Sequence, residues 1–148
     1  MRQVTVALAQ MNPVLNEVEQ NLAIMSKMIE EVCLQRQVDL IIFPELATTG
    51  YECGVRFADL AERVDGLAAS TMAQRAAECG VYIAFGLAEK QKVESVIYSA
   101  ALLINPEGEV ISDYQKVHLK GEQRLAFRPG FKYKVAQTPW GVVGLMIG

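Results

Sequence analysis

Val4 to Gln10 is a short run of β-branched and apolar residues closed by Asn12-Pro13, the pattern of a buried strand running into a turn. The period then changes. Val18, Leu22, Met25, Ile29 and Val32 recur at helical spacing as far as about Gln37, and Asn16 followed by Glu19 predicts a capping box at the helix start. Val38 to Phe43 is a second apolar run, too short for a helix and stopped by Pro44. That leaves Glu45 just beyond the carboxyl end of a buried strand. Leu67 to Cys79 is alanine-rich with a helical stripe through Met72, Ala73 and Ala76, and Gly80 is placed to cap it in the left-handed conformation. A third strand, Val81 to Leu87, follows at once.

Strand, helix, strand, helix, strand is the order of an α/β layered sheet with crossover connections. Beyond it the pattern switches to hairpins. Val96 to Ile104 and Glu109 to Val117 flank Asn105-Pro106-Glu107-Gly108, a turn in which proline presets φ and glycine relieves strain. Lys120 to Gly130 is polar and reads as a loop. Tyr133 to Gln137 and Val142 to Ile147 then flank the turn Thr138-Pro139-Trp140-Gly141. No repeat or interdomain linker interrupts the chain, so residues 1–148 read as a single domain. The closing VVGLMIG has the character of a core strand, and the expectation is a domain cut within its core.

Composition narrows the partners. The apolar fraction is 51%, which calls for buried strands or a large interface. A net charge of −3 with scattered basic residues argues against nucleic acid as a partner. No signal-peptide h-region and no run of membrane-spanning length is present, so the expected location is the cytoplasm, without membrane contact. The 3 cysteines, Cys33, Cys53 and Cys79, form no CxxC pair and are odd in number, which speaks against a disulfide framework or a zinc site. A single histidine, His118, rules out a multi-histidine metal site in this chain. No glycine-rich phosphate loop stands between strand and helix. Neither a metal nor another cofactor is expected.

Three segments carry candidate chemistry: IIFPELATTGY with Glu45, YQKVHLKGEQRLAFRPG with Lys116, and VVGLMIG ending at Gly148. In this order and separation they resemble the nitrilase superfamily of carbon–nitrogen hydrolases, and the resemblance runs the length of the chain. It implies a four-layer α-β-β-α sandwich, about half of it supplied here, and assembly into homodimers or larger homo-oligomers. It also implies hydrolysis of a small linear amide or carbamoyl substrate through a cysteine acyl-enzyme, with nitriles the less expected class.

The implied roles suit the residue types. A thiol attacks a carbonyl carbon only as thiolate and needs a base, the role the resemblance gives Glu45. The tetrahedral intermediate needs positive charge or donors at its oxygen, the role it gives Lys116. Tyr51, Glu122 and Gln123 are the expected substrate-binding residues. Counting back from Pro129-Gly130 puts Gln123, with Glu122 beside it, where the family commonly has a second glutamate; a glutamine can orient substrate but cannot shuttle protons. Gly148 stands where the family has its cysteine, so the chain as written is expected to be inactive. Cys33 and Cys79 read as packing residues, Cys53 as an incidental thiol near the site, and His118 as a structural hydrogen-bonding residue. The competing reading is a non-catalytic binding or assembly module of the same fold. An unrelated small α/β ligand-binding domain ranks behind both.

Overall fold

The computed structural model describes residues 2–92 and 95–148. Strands β1 (Val6–Leu8), β2 (Leu40–Ile42), β3 (Tyr82–Lys90), β4 (Ile97–Ile104) and β5 (Val110–Gln115) form one sheet in that spatial order. β1, β2 and β3 are parallel, joined by crossovers through the helices α1 (Val18–Gln35) and α3 (Leu67–Cys79). β4 and β5 add as an antiparallel hairpin, so β5 runs in the same direction as β2 and β3. The hairpin β6 (Val135–Thr138) and β7 (Gly141–Gly144) is a separate two-stranded piece. The short helical segments Gly54–Arg56, α2 (Phe57–Leu60) and α4 (Gln123–Ala126) complete the described elements.

Alternation along the strands sorts the core into two faces. Ile83, Phe85 and Leu87 of β3 and Ala100, Leu102 and Ile104 of β4 point to α1 and α3, meeting Leu22, Met25, Ile29, Met72 and Ala76. The opposite face presents Leu40, Tyr82, Ala84 and Leu103 to Ala136, Trp140, Val143 and Leu145 of the second hairpin. Tyr82 and Trp140 meet edge to face with ring centroids 5.2 Å apart. Helices, sheet and the start of a second sheet are thus stacked as three layers. Among the described residues no helix is long and apolar enough to cross a membrane.

α3 and its glycine cap occur as the sequence predicts, with Gly80 at φ 66° and its amide closing on the Ala76 carbonyl at 2.8 Å. The start of α1 does not. The residue preceding the helix is Glu17, with no side-chain cap, and Asn16 lies at φ 68° with its side-chain oxygen unpartnered. Asn21 ties this end down instead. Its side chain accepts from the Val14 amide at 2.8 Å and donates to the carbonyls of Val14 at 2.8 Å and Thr48 at 3.0 Å. Residues 120–130, expected as loop throughout, contain the single turn α4, too short to show a period.

Candidate active site

Parallel pairing brings the carboxyl ends of β2, β3 and β5 to one end of the sheet. β2 stops where Pro44 removes a donor: Phe43 N still bonds Ala84 O at 2.8 Å, and Gly86 N then reaches Pro44 O at 3.2 Å. The chain turns sharply here. Leu46 takes φ 50°, an unusual conformation for a leucine, and the Thr49 and Gly50 amides both close on its carbonyl. The Asn21 bond to Thr48 holds this turn against α1.

Glu45 is the second residue of the segment and leans across β3. A Cβ on Gly86 would meet Leu46 N at 2.5 Å, Glu45 Cα at 2.7 Å and Pro44 O at 2.8 Å, so only glycine admits the crossing. Beyond it, Ser99 of β4 donates from Oγ to Glu45 Oε1 at 3.0 Å. Lys116 follows β5 and is anchored on both sides by backbone bonds, its amide to Ser99 O at 2.8 Å and its carbonyl from Gly130 N at 2.9 Å. Its Nζ meets the same Glu45 Oε1 at 2.8 Å. The pair is sheltered, with side-chain exposures of 3% for Lys116 and 17% for Glu45. At such burial an ion pair persists only with good geometry and further hydrogen bonds, which Ser99 provides.

The third expected residue arrives from the other layer. After β7 the chain runs along Ile42, Ala84 and Ala101, and Gly148 ends with its carbonyl oxygen 3.3 Å from Lys116 Nζ. Glu45, Gly86 and Leu145 to Gly148 line one cleft of about 240 Å³. A Cβ built on Gly148 has nothing within 4 Å. Glu45, Lys116 and position 148 are therefore gathered at one place, with room there for a side chain.

Tyr51, Glu122 and Gln123 meet elsewhere, lining a neighbouring cavity of about 490 Å³ with Leu46, Phe57 and Phe127. The Gln123 amide donates to Tyr51 Oη, and its Oε1 accepts from Lys120 N at 3.2 Å. That bridge joins the turn after Glu45 to α4. Glu122 is exposed at the cavity edge. Cys53 is buried with its thiol on Thr49 O at 3.1 Å and is packed against Leu46 and Phe57. His118 is exposed, its Nε2 3.5 Å from Tyr133 Oη.

Sequence reading missed Ser99, Asn21 and Gly86. Asn21 alone left a signal, a polar residue beside the apolar stripe of α1. Glu89, at 2% exposure, was also missed. It receives a hydrogen bond from Gln115 Nε2 at 2.5 Å on the helix face of the sheet, away from Lys116. Burial above all, then the nearby Asp113, raises its pKa, against the opposing pull of Gln115 and Lys134.

Residues 5–147 match the carbon-nitrogen hydrolase family, and the chain belongs to it. A probable nitrilase of Schizosaccharomyces pombe is 37% identical over 145 residues, covering 96% of this chain and 53% of that protein. A nitrilase of Pyrococcus abyssi is 34% identical over 148 residues, covering 97% of this chain and 55% of its own length. Among solved structures, the fold is similar to that of an amidase from Nesterenkonia sp., with TM-score 0.85 and 24% identity over 97% of this chain and 54% of the other. The chain spans about half the length of these relatives, and the three stacked layers correspond to that half of the α-β-β-α sandwich.

Proposed function

We propose that the protein is built to hydrolyse a linear amide or carbamoyl carbon–nitrogen bond, with Glu45 as base, Lys116 as stabiliser of the tetrahedral intermediate, and position 148 as the seat of the nucleophile. The observation that carries this reading is the sheltered contact of Lys116 Nζ with Glu45 at 2.8 Å, beside Gly148 at 3.3 Å. With a thiol at 148, Glu45 would take its proton and the sulfur would attack the carbonyl carbon. The charge that develops on oxygen falls next to Lys116 Nζ, in a site poor in water. Glu45 then returns the proton to the leaving nitrogen, and water, deprotonated by Glu45, cleaves the thioester. Tyr51, Gln123 and Glu122 hold the substrate from the adjoining cavity. The expected setting is the cytoplasm, as a homodimer or larger assembly, a reading supported by the odd number of free cysteines and the high apolar fraction.

Glycine at 148 favours a second reading, a binding or assembly module that keeps the fold without turnover. One substitution separates the two. Gly148→Cys, in the protein as the cell makes it, should gain amidase or carbamoylase turnover and form an acyl adduct that peptide mass spectrometry maps to position 148. Equal turnover by the glycine form, or an adduct on Cys53, would overturn the assignment of the nucleophile. Binding without turnover in both forms would favour the module.

A further inference from the structure

Two thiols outside the site share one location. α1 and α3 both deliver the chain to the amino ends of neighbouring parallel strands, and the Tyr82 amide donates to the Asp39 carbonyl at 2.9 Å, so the two helices end side by side. Cys33 lies in the last turn of α1 and Cys79 is the last residue of α3. Both are free, half-buried, and packed against the same core with Val32 and Ala73. α1 and α3 are in direct contact, and the Cys79 thiol is close enough to Cys33 to shift its titration upward.

We propose that Cys33 and Cys79 form a peroxide-sensitive dithiol site that closes to an intramolecular disulfide joining the ends of α1 and α3. Partial exposure gives a small oxidant access, and the direct packing of α1 on α3 lets thiols at their ends approach each other. Burial first, and then the Cys79 thiol, push Cys33 up to about 12, the direction expected for half-buried thiols held side by side. One of the two, as its thiolate, attacks hydrogen peroxide, forming an S–O bond as the O–O bond breaks and hydroxide leaves. The other sulfur then attacks the sulfenic acid; the S–S bond forms, the S–O bond breaks, and water departs with the second thiol's proton. Two thiols are oxidised, one peroxide is reduced to two waters, and a reducing thiol reverses the change.

The test treats the protein with hydrogen peroxide, alkylates the remaining thiols under denaturing conditions and maps the digest. The expected product is a peptide pair joined through Cys33 and Cys79, two hydrogens lighter than the separate peptides and released by dithiothreitol. The oxidised protein should also unfold at a higher temperature than the reduced one, because a long loop is closed. Cys33→Ser and Cys79→Ser should each abolish both effects. Mapping on the unsubstituted protein decides the matter even where a serine variant folds poorly. Sulfinic or sulfonic acid on either residue without the linked pair, cross-links only between molecules, or both thiols still alkylated after peroxide would each overturn the proposal.

Discussion

Replacing Gly86 by alanine adds one methyl group to the face of β3 where the backbone bearing Glu45 crosses. The added carbon would lie 2.5 Å from Leu46 N, whereas ordinary contact begins near 3.4 Å, so the crossing segment must retreat by about 0.9 Å. The atoms in the way are backbone and cannot swing aside as a side-chain tip can. Gly86 does not have positive φ, so the whole effect comes from lack of space. Overpacking of this kind costs about 1–3 kcal/mol, or roughly 3–10 °C in Tm for a chain of this size. The same retreat stretches the 2.8 Å contact between Glu45 and Lys116 beyond hydrogen-bond range. Thermal unfolding followed by circular dichroism reads the first effect, and the NMR signal of the Lys116 ammonium reads the second. Gly80→Ala is the comparison: nothing lies within 4 Å of its added carbon, but its φ of 66° is strained, so it should lose about 1 kcal/mol and leave the Lys116 signal in place. Parent-like stability for Gly86→Ala, with an unmoved Lys116 signal, would refute the close crossing as the device that places Glu45.

Glu89→Gln should be more stable than the parent at neutral pH, because burial raises the folded-state pKa of Glu89 and ionisation therefore works against folding. The stability of the protonated form is fully present below the ordinary value of 4.5 and is lost as pH rises through the folded value, so urea denaturation across pH 4 to 8 should show the gap between variant and parent closing in acid. Lys116→Ala leaves Glu45 sheltered without its cation and should cost about 3–5 kcal/mol, most of which Glu45→Gln in the same chain should restore. Additive losses in that double-mutant cycle would show that the two groups are not coupled.

The sequence made the order of elements legible wherever a period ran long enough to be read. α3 is the clearest case, since thirteen residues of alanine-rich stripe end at a glycine whose left-handed conformation was implied by its position. The two hairpins and the place of Glu45 after Pro44 were legible for a similar reason, because proline and glycine mark turns through covalent geometry. What stayed hidden was decided by distant neighbours. Asn21 looks like a flaw in an apolar stripe until Val14 and Thr48 are brought to its amide. Glu89 lies beyond the apolar run of β3, where nothing local marks a buried residue, yet Gln115 reaches over from β5 to bond it. Asn16 and Glu19 have the spacing of a capping box, but the chain enters α1 through a left-handed Asn16 and the box never forms. The bridge from Tyr51 to Gln123 joins residues far apart in sequence and had no local signature.

The spacing of the sheet itself makes the candidate site a demanding piece of construction. β2 and β5 are separated by β3 and β4, and three strand spacings come to about 14 Å, too far for one glutamate and one lysine side chain to span from their own strands. The gap is closed from both sides. On the β2 side, the sharp turn at Leu46 and the missing side chain of Gly86 let the backbone itself cross β3, carrying Glu45 over β4. On the β5 side, Lys116 extends back across β4, where Ser99 is small enough to lie beneath the meeting point and polar enough to join it. The second hairpin then brings Gly148 in from the other layer, held over the sheet by Trp140 on Tyr82. Each component has a structural cost: a leucine at positive φ, a glycine in a strand, a serine and an ion pair out of water. A fold selected for packing alone would replace all four with apolar residues of ordinary geometry. Their concentration around one oxygen of Glu45 is therefore the strongest physical argument that this end of the sheet was shaped for chemistry.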